Sequence, residues 1–377
     1  MDNDAVPPFN APPAPLPPPP VIAPPTPPRP RKSRGWMIFA LVLLLLLAVS
    51  VLFNIGSVFK SIVHVQGLQA HRFAGPRLEE TLVEDNNATA KIAVVNIDGI
   101  ITSREIDQSG YSMVDVIEAQ LKRAEEDHKV KAVLLKVDSP GGEVLASDDI
   151  SHAIAQFQDD SGKPVIISMG SLAASGGYYV SAPCRWIVAN EMTITGSIGV
   201  IMSTWNYRGL MDKVGLRPFT FKSGKFKDML SGSREPDEIT PEEKAMVQKL
   251  ITETYDKFKS VVAKGRAYAH DKNKNEGRTL AQNWEDYADG RVLSGKEAER
   301  LGFVDELGNF DKATERAKKI THIGEANLVE YRVRYDLSDF FRMFGKTDAH
   351  GVKVDLGVEL PKIEAGRLYF LSPTYLH

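Results

Sequence analysis

From Lys91 onward, short apolar runs alternate with amphipathic stretches. KIAVVNIDGII (91–101), KAVLLKVD (131–138), PVIISMG (164–170) and RWIVAN (185–190) are brief and rich in β-branched residues, as buried strands are. Between them, VDVIEAQLKRAEED (114–127) and SDDISHAIAQFQD (147–159) repeat apolar residues at three- and four-residue spacing, the pattern of helices lying on a sheet. This alternation predicts an α/β domain with parallel strand pairing. A longer helix is predicted to start at Thr240, a cap residue, with Pro241 at the first helical position and Glu243 completing a capping box. Met246, Leu250, Tyr255, Phe258 and Val262 give it one apolar stripe, suited to a core or an interface. A further helix is predicted over GKEAERLG (295–302), with Gly302 as its stop.

The first 90 residues follow other patterns. Residues 1–35 hold 14 of the chain's 23 prolines and too few packable side chains for a core, so a polyproline tail is expected, a spacer or a docking segment. Arg29, Arg31, Lys32 and Arg34 then precede a run of 18 uncharged residues, Trp36 to Phe53, close to the length that crosses hydrocarbon. The cations orient the tail to the cytoplasm and the body to the other side. With no small-residue cleavage site following, the run predicts an uncleaved anchor over 36–54 in the inner (plasma) membrane. Residues 55–90 are expected to form a stalk, 91–320 the main domain and 321–377 a C-terminal extension.

The whole chain of 377 residues is 43% hydrophobic and 25% charged, with a formal net charge of -3. That balance excludes wholesale disorder and gives no electrostatic case for nucleic acid. The single cysteine, Cys184, excludes an intrachain disulfide and a multi-cysteine metal site, and is expected to pack as a small hydrophobe. Neither a metal nor a cofactor is expected.

Two glycine-rich turns follow predicted strands: Asp138-Ser139-Pro140-Gly141-Gly142 and Ala173-Ala174-Ser175-Gly176-Gly177. Such turns serve as ordinary strand-to-helix connections, or present backbone N–H groups to developing negative charge. In the second, Ser175 stands between small residues and can project an uncrowded hydroxyl, with the Gly176 N–H beside it. Neither turn matches a phosphate loop. A serine nucleophile needs a base. The eight histidines are scattered and sit in no recognisable motif. Lysine is the other option, provided that burial leaves it neutral. FKSGKFKDML (221–230) offers Lys222, Lys225 and Lys227, among which composition does not choose, and the segment also reads as a basic surface loop.

DSPGG (138–142), SMGSLAASGGYYVSAP (168–183), TGSIGVIM (195–202), KSGKFKD (222–228) and ADGRVLSGKEAERLGFVDELG (288–308) resemble the motifs of the signal peptide peptidase A family, in order, over roughly residues 92–320. The resemblance implies a ClpP/crotonase-like fold and a membrane-anchored serine endopeptidase of the short, single-repeat form. It would degrade remnant signal peptides as a ring-like homo-oligomer. It also implies Ser175 as nucleophile, Lys227 as general base, Ser197 as the residue that positions the lysine, and Gly176 as one oxyanion donor. Gly142 resembles the second donor, with Gly141 the alternative. Two other readings share these features: a crotonase-type acyl-CoA enzyme, disfavoured by an anchor that places the body away from CoA, and a noncatalytic membrane scaffold using the proline tail.

Overall fold

The computed structural model describes residues 39–47, 49–50, 75–105, 110–274, 276–334 and 367–372. The chain divides into two units, Met1–Arg72 and Phe73–His377. In the first, residues 39–47 and 49–50 are helical and their side chains exposed. The rest of the expected 36–54 span and the proline tract lie outside the described residues, among which no helix is long and apolar enough to cross a membrane.

In the second unit, nine strands among the described residues form one sheet, in the order β1 (Leu78–Glu84), β10 (Asn327–Val333), β2 (Lys91–Asp98), β3 (Val130–Ser139), β5 (Val165–Ala174), β6 (Trp186–Ala189), β9 (Glu306–Leu307). The short strands β7 (Ile194–Gly196) and β8 (Val292–Ser294) branch from β5. All pairs from β10 to β9 are parallel, as are β5 and β7; only β1–β10 and β7–β8 are antiparallel.

Both faces of the sheet are covered, which is why its strands read as nearly unbroken apolar runs. Ala93, Val95, Ile97, Val133, Leu135 and Val137 enter the larger core, with Ile117 and Leu121 of α1 (Met113–Glu126) and Ile150, Ile154 and Phe157 of α2 (Val144–Ser161). Ile92, Val94, Ala132, Leu134 and Ile166 point the other way, onto Ala313 and Ala317 of α7 (Phe310–Thr321). Cys184 is fully buried in the larger core, and burial pushes its thiol far up, so it packs as a hydrophobe.

The four predicted strands and two predicted helices are present, with shifted ends. β2 stops at Asp98, because Gly99 turns the chain with a φ of 76°, and only Ile101 rejoins, by a single bridge to Gly142. β5 runs on to Ala174, so Ser175 comes directly off a strand end. Residues 78–84, expected in a stalk, and 327–333, expected in an extension, are strands β1 and β10 of the same sheet.

The long helix α5 (Pro241–Lys272) has the expected capping box: Thr240 Oγ1 accepts from the Glu243 N–H at 3.2 Å, and Glu243 Oε2 accepts from the Thr240 N–H at 2.8 Å. Its C-terminal half is packed, with Phe258 and Val262 buried, whereas Leu250 is 46% exposed. Gly265 lies so close to Ala182 that a Cβ there would fall 2.4 Å from the Ala182 carbonyl oxygen. One residue on, the buried Arg266 guanidinium pairs with the buried Asp305 carboxylate, which also accepts from the Ile187 N–H (2.8 Å) and the Arg278 N–H (3.1 Å). This cluster ties α5 to the sheet and to the chain leaving the serine turn. Removing one member of a buried pair strands the other's charge, so Asp305→Ala should lower stability by about 3–5 kcal/mol, read from the urea unfolding midpoint.

Candidate active site

Ser175 links β5 to the short helix α3 (Gly176–Ser181) with φ 56° and ψ -115°. A non-glycine residue is seldom found there, and holding it costs about 1–3 kcal/mol, offset by the surrounding packing. Its N–H donates to the Gly196 carbonyl at 2.8 Å. Its Oγ is buried and has no hydrogen-bond partner among the described residues, and the residue as a whole is 1% exposed. A buried hydroxyl with no partner is a cost that a purely structural site would avoid.

The two glycine turns interlock around it. A Cβ on Gly176 would fall 2.7 Å from Ser147 Oγ, 3.0 Å from Gly141 Cα and 3.1 Å from the Gly142 nitrogen. On Gly177 it would meet the Ser139 carbonyl oxygen at 2.8 Å, and on Gly142 the Ile101 carbonyl oxygen at 1.9 Å. Gly141 also needs a φ of 102°, and its Cβ would fall 2.0 Å from the Phe370 carbonyl oxygen and 2.6 Å from the Gly176 nitrogen. The Gly141 N–H is already committed to Ser139 Oγ at 3.1 Å, while that hydroxyl donates to the Gly99 carbonyl at 2.6 Å.

Ser197 arrives by strand pairing. Gly196 of β7 is opposite Ala174 of β5, which brings the next residues, Ser197 and Ser175, alongside each other. Ser197 is buried with a φ of 50°, held by its N–H donating to the Arg291 carbonyl at 2.8 Å. The fold thus gathers Ser175, Gly176, Gly141, Gly142 and Ser197.

Lys227 makes no hydrogen bond to Ser175 Oγ. It is exposed, on a segment where Trp205, Leu210, Val214, Leu216, Phe219 and Phe221 are exposed too, Phe221 to 97%. The other two lysines of the segment are neutralised: Lys222 pairs with Asp228 at 2.8 Å and Lys225 with Glu242 at 2.6 Å. Among the described residues Lys227 makes no ion pair.

Sequence reasoning missed the strand that crosses the turns. β11 (Tyr369–Leu371) lies between two edges of the site, antiparallel to β4 (Gly141–Glu143) and bridged to Ile201 on its other side. Tyr369 exchanges both backbone hydrogen bonds with Ile201, at 3.0 and 3.1 Å; Phe370 faces Gly142; the Ser372 N–H donates to the Pro140 carbonyl at 2.8 Å. Phe370 is buried against Tyr179 (stacked, centroids 4.8 Å apart) and Phe258 (4.7 Å). Burial and the adjacent Asp148 carboxylate hold the Tyr179 phenol far above its ordinary range, so it stays a donor to Asp148 at 2.5 Å.

On the opposite face Glu143 accepts from Ser103 Oγ (2.6 Å), the Ser103 N–H (3.1 Å), Thr102 Oγ1 (3.3 Å) and Arg367 (3.2 Å). Burial alone would raise its carboxyl, but the Ser103 donors, the Arg367 charge and the Thr102 hydroxyl outweigh burial and hold it below the usual carboxylate range. The short apolar run Leu368–Leu371 near the C-terminus was visible in the sequence and was the sign that could have placed it.

A strained buried serine beside interlocked backbone amides, with an extended segment lying across them, is the arrangement of a serine peptidase. Comparison with known proteins agrees. Residues 157–323 match the family described as Peptidase family S49. An Enterococcus faecium protein named as a signal peptide peptidase SppA is 38% identical over 258 residues, 67% of this chain and 70% of that one. A Methanocaldococcus jannaschii protein named as a protease is 33% identical over 326 residues, 84% of this chain and 93% of that one. The chloroplastic serine protease SPPA of Arabidopsis thaliana is 34% identical over 204 residues, 54% of this chain and 28% of that one. The chain belongs to peptidase family S49, the signal peptide peptidase A family.

The interlock makes a local test. Gly141→Ala forces a methyl between the turns and should lower peptide hydrolysis by about 10²-fold or more, the scale of a lost oxyanion donor. Gly162→Ala serves as its control: Gly162 also has a positive φ, 67°, but open space around it. It should cost only about 1 kcal/mol of stability and leave hydrolysis unchanged.

Proposed function

We propose that this protein is a membrane-anchored endopeptidase that hydrolyses remnant signal peptides with a Ser175–Lys227 dyad. The observation that carries the reading is the buried, unpartnered Ser175 Oγ on a strained turn, under a strand whose Phe370 carbonyl oxygen crowds Gly141 beside the Gly176 nitrogen. In this mechanism neutral Lys227 takes the hydroxyl proton as Oγ attacks the peptide carbonyl carbon. The Gly176 and Gly142 amides hold the resulting oxyanion; the engagement of the Gly141 N–H by Ser139 favours Gly142 as second donor. The C–N bond then breaks as protonated Lys227 donates to the leaving amine, and water hydrolyses the ester left on Oγ. Ser197, alongside Ser175, orients the lysine.

The base comes from a neighbouring copy in this reading. Ser175 Oγ has no hydrogen-bond partner among the described residues, and Lys227 stands exposed among exposed aromatic and aliphatic side chains. Apolar surface of that kind marks an interface, and a ring of copies, each lending Lys227 to the next, would bury it. The domain, expected to be ClpP/crotonase-like and consistent with the parallel-rich sheet, would be extracytoplasmic. The uncharged run Trp36–Phe53 would hold it at the membrane, with the tail cytoplasmic, raising the local concentration of membrane-partitioned peptides.

Ser175→Ala and Lys227→Ala should each reduce hydrolysis of an apolar peptide by about 10⁴-fold or more with unchanged melting. Co-assembled from a denatured equimolar mixture, the two dead variants should recover roughly a quarter of wild-type activity, the share of head-to-tail interfaces that pair an intact serine with an intact lysine. Full activity in Lys227→Ala overturns the dyad; a co-assembled mixture that stays dead overturns the shared site.

A further inference from the structure

We infer that Glu143 is a specificity-determining residue, selecting a cationic side chain three positions before the residue whose carbonyl lies at the glycine turns. The inference rests on the reading of this cleft as a peptide cleft and adds the class of peptide it prefers: extended segments carrying a cation, then two residues, then a large aromatic.

Glu143 follows Gly142 directly, so the same three-residue strand that pairs with the incoming backbone also carries the carboxylate. Glu143 stands opposite Tyr369, and side chains alternate along a strand. Residues 369 and 367 therefore share the Glu143 face, while Phe370 enters the aromatic pocket of Tyr179 and Phe258 on the other. The diagonal neighbour of Glu143 on its own face is residue 367. There Arg367 Nη1 reaches Glu143 Oε1 at 3.2 Å.

The carboxylate is built to receive that cation. Glu143 is 7% exposed, and Arg367 is the cation that pairs with it among the described residues. Three donors from Thr102 and Ser103 fix its two oxygens, and that loop is itself clamped to the strand: the Ile101 N–H donates to Gly141 O (2.9 Å) and the Glu143 N–H donates to Ile101 O (2.8 Å). An acceptor held this rigidly needs no rearrangement when a guanidinium arrives. A neutral side chain there leaves a buried carboxylate without a counter-charge, and an acidic one meets a like charge, so the site discriminates in both directions.

The test is binding, in a full-length Ser175→Ala background that cannot hydrolyse the probe. Fluorescein-labelled Arg-Leu-Tyr-Phe-Leu-Ser, the sequence of residues 367–372, is titrated by anisotropy beside versions with citrulline or glutamate in place of arginine. The chain's own strand competes with all three by the same factor, so the ratios are unaffected. The arginine probe should bind about tenfold more tightly than the citrulline probe, the scale of a charge-assisted hydrogen bond, and the glutamate probe should bind most weakly. Adding Glu143→Gln should bring the three within about twofold of one another. Adding Arg367→Glu instead, which turns the carboxylate against the chain's own strand, should tighten the arginine probe about tenfold.

Equal affinities in the Ser175→Ala background, a preference that survives Glu143→Gln, or no binding at all overturns the inference. Should Glu143→Gln fail to fold, the probe series and Arg367→Glu decide alone. No hydrolysis is read here, so a failure of the Ser175–Lys227 dyad leaves the outcome untouched, and a failure here leaves the dyad standing.

Discussion

The site depends on one steric constraint: two backbone turns approach so closely that neither tolerates a side chain where they touch. A Cβ at Gly141 would fall 2.6 Å from the Gly176 nitrogen, one at Gly176 3.0 Å from Gly141 Cα, and one at Gly177 2.8 Å from the Ser139 carbonyl oxygen, while Gly142 is crowded by Ile101 instead. That contact holds the amides of one turn beside those of the other, and it holds Ser175 at a positive φ that its own chemistry disfavours. Parallel strands end side by side, so β3 and β5 deliver the two turns to the same edge of the sheet. β7, paired to the end of β5, brings Ser197 to that edge as well. The sheet aims the residues, and the glycine contact fixes their spacing.

Much of this could be read along the chain, for physical reasons that also explain what could not. β2, β3, β5 and β6 are covered on both faces, so apolar character is dense along them and they stand out from the helices. The capping box at Thr240 and the stop at Gly302, whose φ is 82°, are local geometry and were legible as such. β4, β7 and β8 have three residues each, too few to show a period; their strand character comes from the partner they pair with. β1 and β10 lie beyond the recognisable motifs; β10 pairs with β2, and β1 reaches the sheet through β10, a pairing between distant parts of the chain that no local pattern records.

The site divides in the same way. Ser175 and the glycine pairs were legible because small residues in a row after a strand are a local feature. The commitment of the Gly141 N–H to Ser139, the exposure of Lys227 and the strand over the turns are tertiary facts. Of the three lysines that composition could not separate, Lys222 and Lys225 have carboxylates within salt-bridge distance. Lys227 has no such partner among the described residues, and the choice of it as base rests on the family resemblance.

A serine lacking a base and a lysine lacking a serine have one further consequence if they meet only between copies. An isolated chain then carries an incomplete site, covered by its own strand, and cannot hydrolyse the peptides it meets before assembly. The strand and the missing lysine block the site by different means: one fills the cleft by backbone pairing that any extended peptide can imitate, the other withholds the proton acceptor. Displacing the strand from a single chain would expose Ser175 without activating it, and assembly without displacement would activate a cleft that is already full. Hydrolysis on this reading requires assembly and a peptide that outcompetes residues 367–372, and the carboxylate of Glu143 is placed where it can decide which peptides do.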